Sequence, residues 1–345
     1  MTPPADFAAL RAVSARFGAD PLLVQGPGGN TSVKAGDVMW IKASGTLLAD
    51  AEARDIFVAV DLPPLRAAVE GDDPLADQPA HFALAPDGLR PSIETCLHAV
   101  FPHRVVLHVH CVNTIAVALA KDARERLAEK LDRFGWAFVD YVKPGARLAA
   151  KVRAARAADT DVVVLGNHGL IVGGDTVEAA AKLVAAVAAS LHATPAPAAA
   201  PDFRRLAELA ETGYAPAPVG HSLHDVALSP NRLALATGGS LYPDHVVFCG
   251  PGATVADAPG AAARRRAFAG GTPAIPGTPP FLLVSGVGAL LRDDASEGAR
   301  AMARCLGDVL ARVAEDAIPR YLTDDEVREL TNWDAEKYRQ ALNAR

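Results

Sequence analysis

Several things are scarce in this chain, and each scarcity removes a class of function. Only four cysteines, Cys96, Cys111, Cys249 and Cys305, serve 345 residues, and no two form a C-x-x-C pair. They read as buried free thiols of a reducing cytoplasm, not as a disulfide framework. No run of basic residues offsets the net charge of −6, which argues against nucleic acid or an anionic membrane surface as a partner. No apolar stretch approaches the ~18 residues that a membrane span requires, and no signal-peptide pattern opens the chain. The one glycine-rich turn, Gly26-Pro27-Gly28-Gly29-Asn30-Thr31-Ser32, closes without the Gly-Lys-[Ser/Thr] of a Walker loop. Nor does it complete G-x-G-x-x-G, because Thr31 stands at the last position.

Histidines are present in a telling arrangement. His108-Val109-His110 ends the apolar run Arg104-Val105-Val106-Leu107, which predicts a buried strand. Residues i and i+2 of a strand share a face, so the two imidazoles stand side by side. Cys111 then falls on the face opposite His110. His168 follows a second buried run, Asp161-Val162-Val163-Val164-Leu165, and is flanked by Asn167 and Gly169. Three neutral nitrogen donors are the ligand count of a catalytic zinc with one open position.

Upstream, Pro91-Ser92-Ile93-Glu94-Thr95-Cys96-Leu97-His98 predicts a helix start with Ser92 as N-cap. Ile93, Leu97 and Phe101 then share one helical face, and Glu94 and His98 another. Asn30, Thr31 and Ser32 place three side-chain donors after backbone N–H groups suited to an anion. Trp40-Ile41-Lys42-Ala43-Ser44-Gly45 predicts a strand ending in another small, donor-rich turn.

In this order and spacing, the chain resembles the class II aldolase/adducin family. The matching residues are Gly29-Asn30-Thr31-Ser32, Ser44-Gly45, Ser92 with Glu94, His108-Val109-His110 and Asn167-His168-Gly169. The resemblance implies an α/β fold whose mixed, largely antiparallel sheet lies between helix layers. It implies that His108, His110 and His168 hold Zn2+ or another divalent transition metal, with Glu94 as acid/base. Gly29, Asn30, Ser32, Ser44, Gly45 and Ser92 would bind the phosphate of a ketose phosphate. Ile93 stands where the family's sugar-phosphate aldolases often carry a second serine, and Lys42 is the candidate point charge to compensate. Tyr141, in Asp140-Tyr141-Val142-Lys143-Pro144-Gly145, matches a tyrosine that reaches a neighbouring subunit's site, which implies a homo-oligomer. The reaction implied is aldol cleavage or condensation of a ketose 1-phosphate or related sugar acid, a small-molecule substrate. A pentulose-phosphate 4-epimerase and a sugar-acid-phosphate decarboxylase share the machinery. An adducin-like binding module without catalysis is the alternative of another class.

Composition divides the chain. Residues 1–192 form the predicted catalytic domain, 193–202 an Ala/Pro linker, and 203–345 a second domain. A helix of roughly 176–191 closes the first domain, capped by Asp175 with Glu178 at N3. The stretch from Phe281 to Glu297 can be laid on the one beginning at Val162: Gly288 falls on Gly169, Asp294 on Asp175, and Val287 on His168. The second domain therefore reads as a degenerate copy without metal ligands. The layout, with Leu241-Tyr242-Pro243-Asp244-His245 and the tail Trp333-Asp334-Ala335-Glu336-Lys337-Tyr338-Arg339, is similar to the aldolase portion of bifunctional rhamnulose-phosphate aldolase/dehydrogenases.

Overall fold

The computed structural model describes residues 2–85, 88–197, 199–210, 213–256, 264–266, 279–333 and 342; tail residues 334–339 of the similarity noted above lie outside them. Two compact units emerge, one of Met1–Thr114 with Arg124–His192, the other of Ile115–Ala123 with Ala193–Arg345.

The first unit runs α1 (Phe7–Gly18), β1 (Asn30–Ala35), β2 (Val38–Lys42), β3 (Phe57–Asp61), α2 (Leu62–Glu70), α3 (Thr95–Val100) and β4 (Val105–Val109). It continues through α4 (Val112–Ala118), of which 115–118 fall in the second unit, α5 (Ala123–Lys130), β5 (Trp136–Val139), α6 (Ala146–Ala155), β6 (Val162–Leu165), β7 (Gly169–Gly174) and α7 (Val177–Ser190). Its seven strands form one sheet in the order β3-β2-β1-β4-β7-β6-β5. Only the β5–β6 pair is parallel. A mixed, largely antiparallel sheet with helices is thus the fold. β4 is central, with β1 on one side and β7 on the other, and all five of its residues are buried. That explains why Val105-Val106-Leu107 is a continuous apolar run and not an alternating one. Val106, Val163 and Ile171 pack with Leu97 and Phe101 of the α3 segment and with Leu148 and Val152 of α6.

Two helix starts differ from the sequence expectation. α3 begins at Thr95 with Glu94 at its N-cap, three residues after Ser92. A tight turn occupies the gap, in which Thr95 N–H and Oγ1 both donate to the Ser92 carbonyl, at 3.1 and 2.5 Å. The cap of α7 is Thr176, whose hydroxyl accepts from Ala179 N–H, so Asp175 stays outside the helix.

The β6–β7 hairpin positions His168. Asn167 takes a positive φ of 55°, a conformation asparagine tolerates better than most residues. Gly169 is required by close approach, since a Cβ there would lie 2.5 Å from the Val109 carbonyl oxygen.

The second unit holds α8 (Phe203–Leu209), β8 (Tyr214–Pro216), α9 (Leu223–Leu228), α10 (Pro230–Thr237), α11 (Pro243–Cys249), β9 (Thr254–Ala256) and β10 (Arg264–Arg266). It ends with β11 (Phe281–Val284), β12 (Gly288–Arg292), α12 (Glu297–Leu310) and α13 (Asp324–Thr331). Its sheet order is β10-β9-β11-β12-β8, with β9 and β11 parallel. A strand parallel to the first arm of a hairpin, a second arm antiparallel to an earlier strand, and a following 14-residue helix occur in both units. The α12 cap is Ser296, not Asp294. The Ala/Pro segment is tied to this unit: Ala196 N–H donates to Ala311 O at 3.0 Å, and Ala196 O accepts from Arg232 at 2.8 Å. Among the described residues, no helix is long and apolar enough to cross a membrane, and all four cysteines are buried and free.

Candidate metal centre

β4, the β6–β7 turn and the N-cap of α3 converge on one point. The ligand atoms of Glu94, His108, His110 and His168 all lie within 4.8 Å of one another, and all four residues are buried. The three imidazole centroids are 4.9, 5.0 and 5.1 Å apart. His108 and His110 come together because they are i and i+2 at the end of β4. His168 is delivered across the sheet by the register that pairs Val109 with Leu170.

The hydrogen bonding sets one tautomer. His108 Nδ1 lies 3.0 Å from the Leu170 carbonyl oxygen. A carbonyl only accepts, so Nδ1 carries the proton and Nε2 carries the lone pair. That Nε2 is 3.1 Å from His110 Nε2 and 3.4 Å from Glu94 Oε2. Glu94 Oε1 in turn is 3.4 Å from His168 Nε2. Donor atoms about 2.0–2.2 Å from a tetrahedral ion stand roughly 3.3–3.5 Å from each other, close to these separations. A backbone carbonyl behind the ligating ring is also the usual outer partner of a metal-bound histidine. Three imidazoles and a carboxylate therefore fit a divalent transition metal. Burial pushes the Glu94 carboxyl up, but His108, His168, His110 and His98 together outweigh it and hold the group at about 2. Glu94 is thus ionised.

The residues predicted to bind an anion divide into two groups. Asn30 and Ser92 are at the site: Asn30 Nδ2 donates to Glu94 Oε2 at 2.7 Å, and Ser92 Oγ accepts from Glu94 N–H at 3.2 Å. Ser44 and Gly45 are joined to Ser92 through the bridge between Ala43 and Pro91, with Ser92 N–H donating to Lys42 O at 3.1 Å. Ser44 Oγ is buried without a hydrogen-bond partner among the described residues, and Gly45 has a positive φ of 76°. Gly29, also at positive φ, runs against β4, where a Cβ would meet the His108 carbonyl oxygen at 3.0 Å. Ser32 and Lys42 have other duties. Ser32 is fully buried, with Oγ 2.8 Å from His98 Nδ1. Lys42 Nζ donates to the carbonyls of Pro27 and Gly29, at 2.8 and 3.1 Å, and so clamps the glycine-rich turn from behind. Tyr141 follows β5, is buried, and places its backbone against Gly166 of the hairpin.

Sequence reasoning missed the partners of these groups. It did not find that Asn30 is bonded to the acid/base candidate, nor that Gln25 Nε2 donates to the His110 carbonyl at 3.3 Å. His98 was visible only as the residue one turn beyond Glu94.

The β8–β12 pair of the second unit carries different residues from the β4–β7 pair of the first. The partner of Ile171 on β4 is His108, whereas the partner of Leu290 on β8 is Pro216. Pro218 lies two residues on, and Val287 immediately precedes β12. Asp202 precedes Pro216 by the same fourteen residues that separate Glu94 from His108. His224 occupies the space between the strands, accepting from Ala289 N–H through Nδ1 and donating to Ala217 O through Nε2, both at 3.1 Å.

The family described as Class II Aldolase and Adducin N-terminal domain matches residues 9–194. A Bacillus subtilis (strain 168) protein, "Uncharacterized oxidoreductase YuxG", is 32% identical over 179 residues, 47% of this chain and 25% of that one. The chain thus spans about a quarter of the length of that curated relative. Among solved structures, the N-terminal class II aldolase domain of a conserved protein from Thermoplasma acidophilum is similar at 27% identity and a TM-score of 0.50. That match covers 55% of this chain and 94% of the other.

Proposed function

Since the chain belongs to the class II aldolase and adducin family, we propose that it cleaves and forms a carbon–carbon bond in a ketose 1-phosphate or related sugar acid. The observation that carries this reading is the buried cluster of three imidazoles and one carboxylate, with His108 Nε2 turned inward by the Leu170 carbonyl. His108, His110 and His168 would hold a divalent ion, zinc foremost. When bound, the ion supplies Lewis-acid stabilisation of the enediolate left by the broken bond. Glu94, ionised and held by Asn30, takes a proton from the substrate carbon in condensation and returns it in cleavage. Ser44 Oγ, Ser92 Oγ and the turns at Gly29 and Gly45 receive the anionic end of the substrate. Tyr141 exchanges the proton on the aldehyde oxygen. Four buried free cysteines support a cytoplasmic setting, and the tyrosine match supports a homo-oligomer.

One observation favours a carboxylate over a phosphate at the anion site. Lys42 donates to Pro27 and Gly29, so it is not placed as the compensating point charge. Ketose 1-phosphates and sugar acids should therefore be screened side by side with added zinc, manganese or cobalt, scored by released aldehyde. Release from neither class with any of the three metals would reject the aldol reading.

We also infer that residues 203–345 are a partial second copy that, among the described residues, lacks counterparts of β1, β2 and β3 and has lost its ligands. The shared hairpin register and the fourteen-residue spacing support this. Val287→His should then add no second metal ion to the protein, because Pro216 and Pro218 offer it no partners. An additional tightly bound ion in that variant would count against the equivalence.

A further inference from the structure

Strand β1 meets the α3 segment along three polar rungs. Alternate residues Asn30, Ser32 and Lys34 face it. Asn30 Nδ2 donates to Glu94, Ser32 Oγ pairs with His98 Nδ1, and Lys34 Nζ donates to the carbonyls of Phe101 and His103. Two strand residues advance about 6.6 Å and four helical residues about 6 Å, so successive rungs keep step. The outer rungs have plain duties. Asn30 holds the carboxylate at the site, and Lys34 satisfies carbonyls at the helix end.

The middle rung is different. His98 is fully buried and neutral, its pKa pushed down to about 3, mainly by burial, with His108 the largest charge effect. Its Nε2 has no partner among the described residues. A leucine would leave the fully buried Ser32 Oγ without this partner, so the imidazole completes a buried hydrogen bond. Packing alone therefore does not account for a histidine here, one helical turn from Glu94.

We propose that His98 is a positioning residue for Glu94: its bond to Ser32 sets the roll of α3 on β1, and thereby the presentation of the Glu94 carboxylate to His108 and His168. The inference rests on the reading of Glu94 as the proton-transfer group. His98 touches neither substrate nor ion; it acts through the helix.

Three variants in the full chain test it. His98→Leu removes the rung, His98→Asn keeps a polar group near the position of Nδ1, and Ser32→Ala removes the partner while leaving the imidazole. His98→Leu should stay folded with a lowered Tm, because Ser32 Oγ loses its partner, and lower kcat about tenfold or more with KM changed less than about threefold, the signature of an interaction made in the transition state. His98→Asn should recover most of that loss. In a Glu94→Gln background, His98→Leu should cost nothing further, because residues acting through one group are not additive. Additive losses, or wild-type kcat in His98→Leu, overturn the proposal. Hydrogen exchange over residues 92–101 reads the same rung without turnover. Faster exchange in His98→Leu, restored in His98→Asn, sustains the positioning role even if no aldol activity is found; unchanged exchange overturns it. If His98→Leu does not fold, Ser32→Ala carries the same two readouts.

Discussion

Asn30 and Glu94 are 64 residues apart in the chain, yet the Asn30 amide donates to Glu94 Oε2 at 2.7 Å inside the buried site. The same oxygen lies 3.4 Å from His108 Nε2, while Oε1 lies 3.4 Å from His168 Nε2. The carboxylate is thus divided between two imidazoles and anchored at one end. That arrangement joins the glycine-rich turn, which leads into Asn30, to the carboxylate proposed to move the proton.

Glu94→Gln keeps the shape of the side chain and removes its basicity. It should retain most of the bound metal and lose about 10²–10⁴ in kcat, the range for a positioned acid/base. Asn30→Ala should lose less, since the carboxylate remains but is no longer anchored. Steady-state kinetics with metal analysis on the same samples separates the two effects. Full activity in Glu94→Gln would reduce Glu94 to a helix-start acid.

Ser44→Asp tests the anion site. Ser44 Oγ is buried and has no partner among the described residues, and the neighbouring Gly45 turns at a positive φ of 76°. A carboxylate placed there should raise KM for an anionic substrate several-fold or more through like-charge repulsion, and should affect an uncharged analogue far less. Equal changes for both substrates would remove the anion-binding assignment.

Acid stability should report on His245 in the second unit. It is buried, stacks on Phe281 with centroids 6.0 Å apart, and neither ring nitrogen has a partner among the described residues. Burial pushes its pKa from 6.5 down to about 4. Between these values the unfolded chain takes up a proton that the folded chain refuses. Stability is therefore complete above pH 6.5 and declines as pH falls toward 4, by ~3 kcal/mol for this one group. His245→Phe should flatten the dependence of Tm on pH in that window. An unchanged slope would place the acid sensitivity elsewhere.

How much of this was legible in the sequence depended on whether the determinant was local. The i, i+2 pair His108 and His110 follows from strand geometry alone, and Gly169 marks the close approach that delivers His168. Glu94 was legible as a residue, but its helix begins later than Ser92 suggested, because a Ser92–Thr95 turn precedes it. The partners of Ser32 and Lys42 were hidden for a shared reason. Their spacing puts them beside donor-rich turns, but only the fold shows that His98 lies across from Ser32 and that the Pro27 and Gly29 carbonyls lie across from Lys42. In the second unit the β11–β12 hairpin and α12 were legible from glycine spacing and a cap signal. The packing of residues 115–123 with that unit was not, since it depends on pairings such as Ala120 with Pro319, far away in sequence.

The central claim is that His108, His110 and His168 form one divalent metal site used for carbon–carbon chemistry. It is tested most directly by elemental analysis of protein purified without chelator, comparing wild type with His108→Ala and His168→Ala. Close to one ion per chain in the wild type, falling to a small fraction in both variants while they remain folded, is the result this account requires. Wild-type metal content in the two variants would place the ion elsewhere and contradict it.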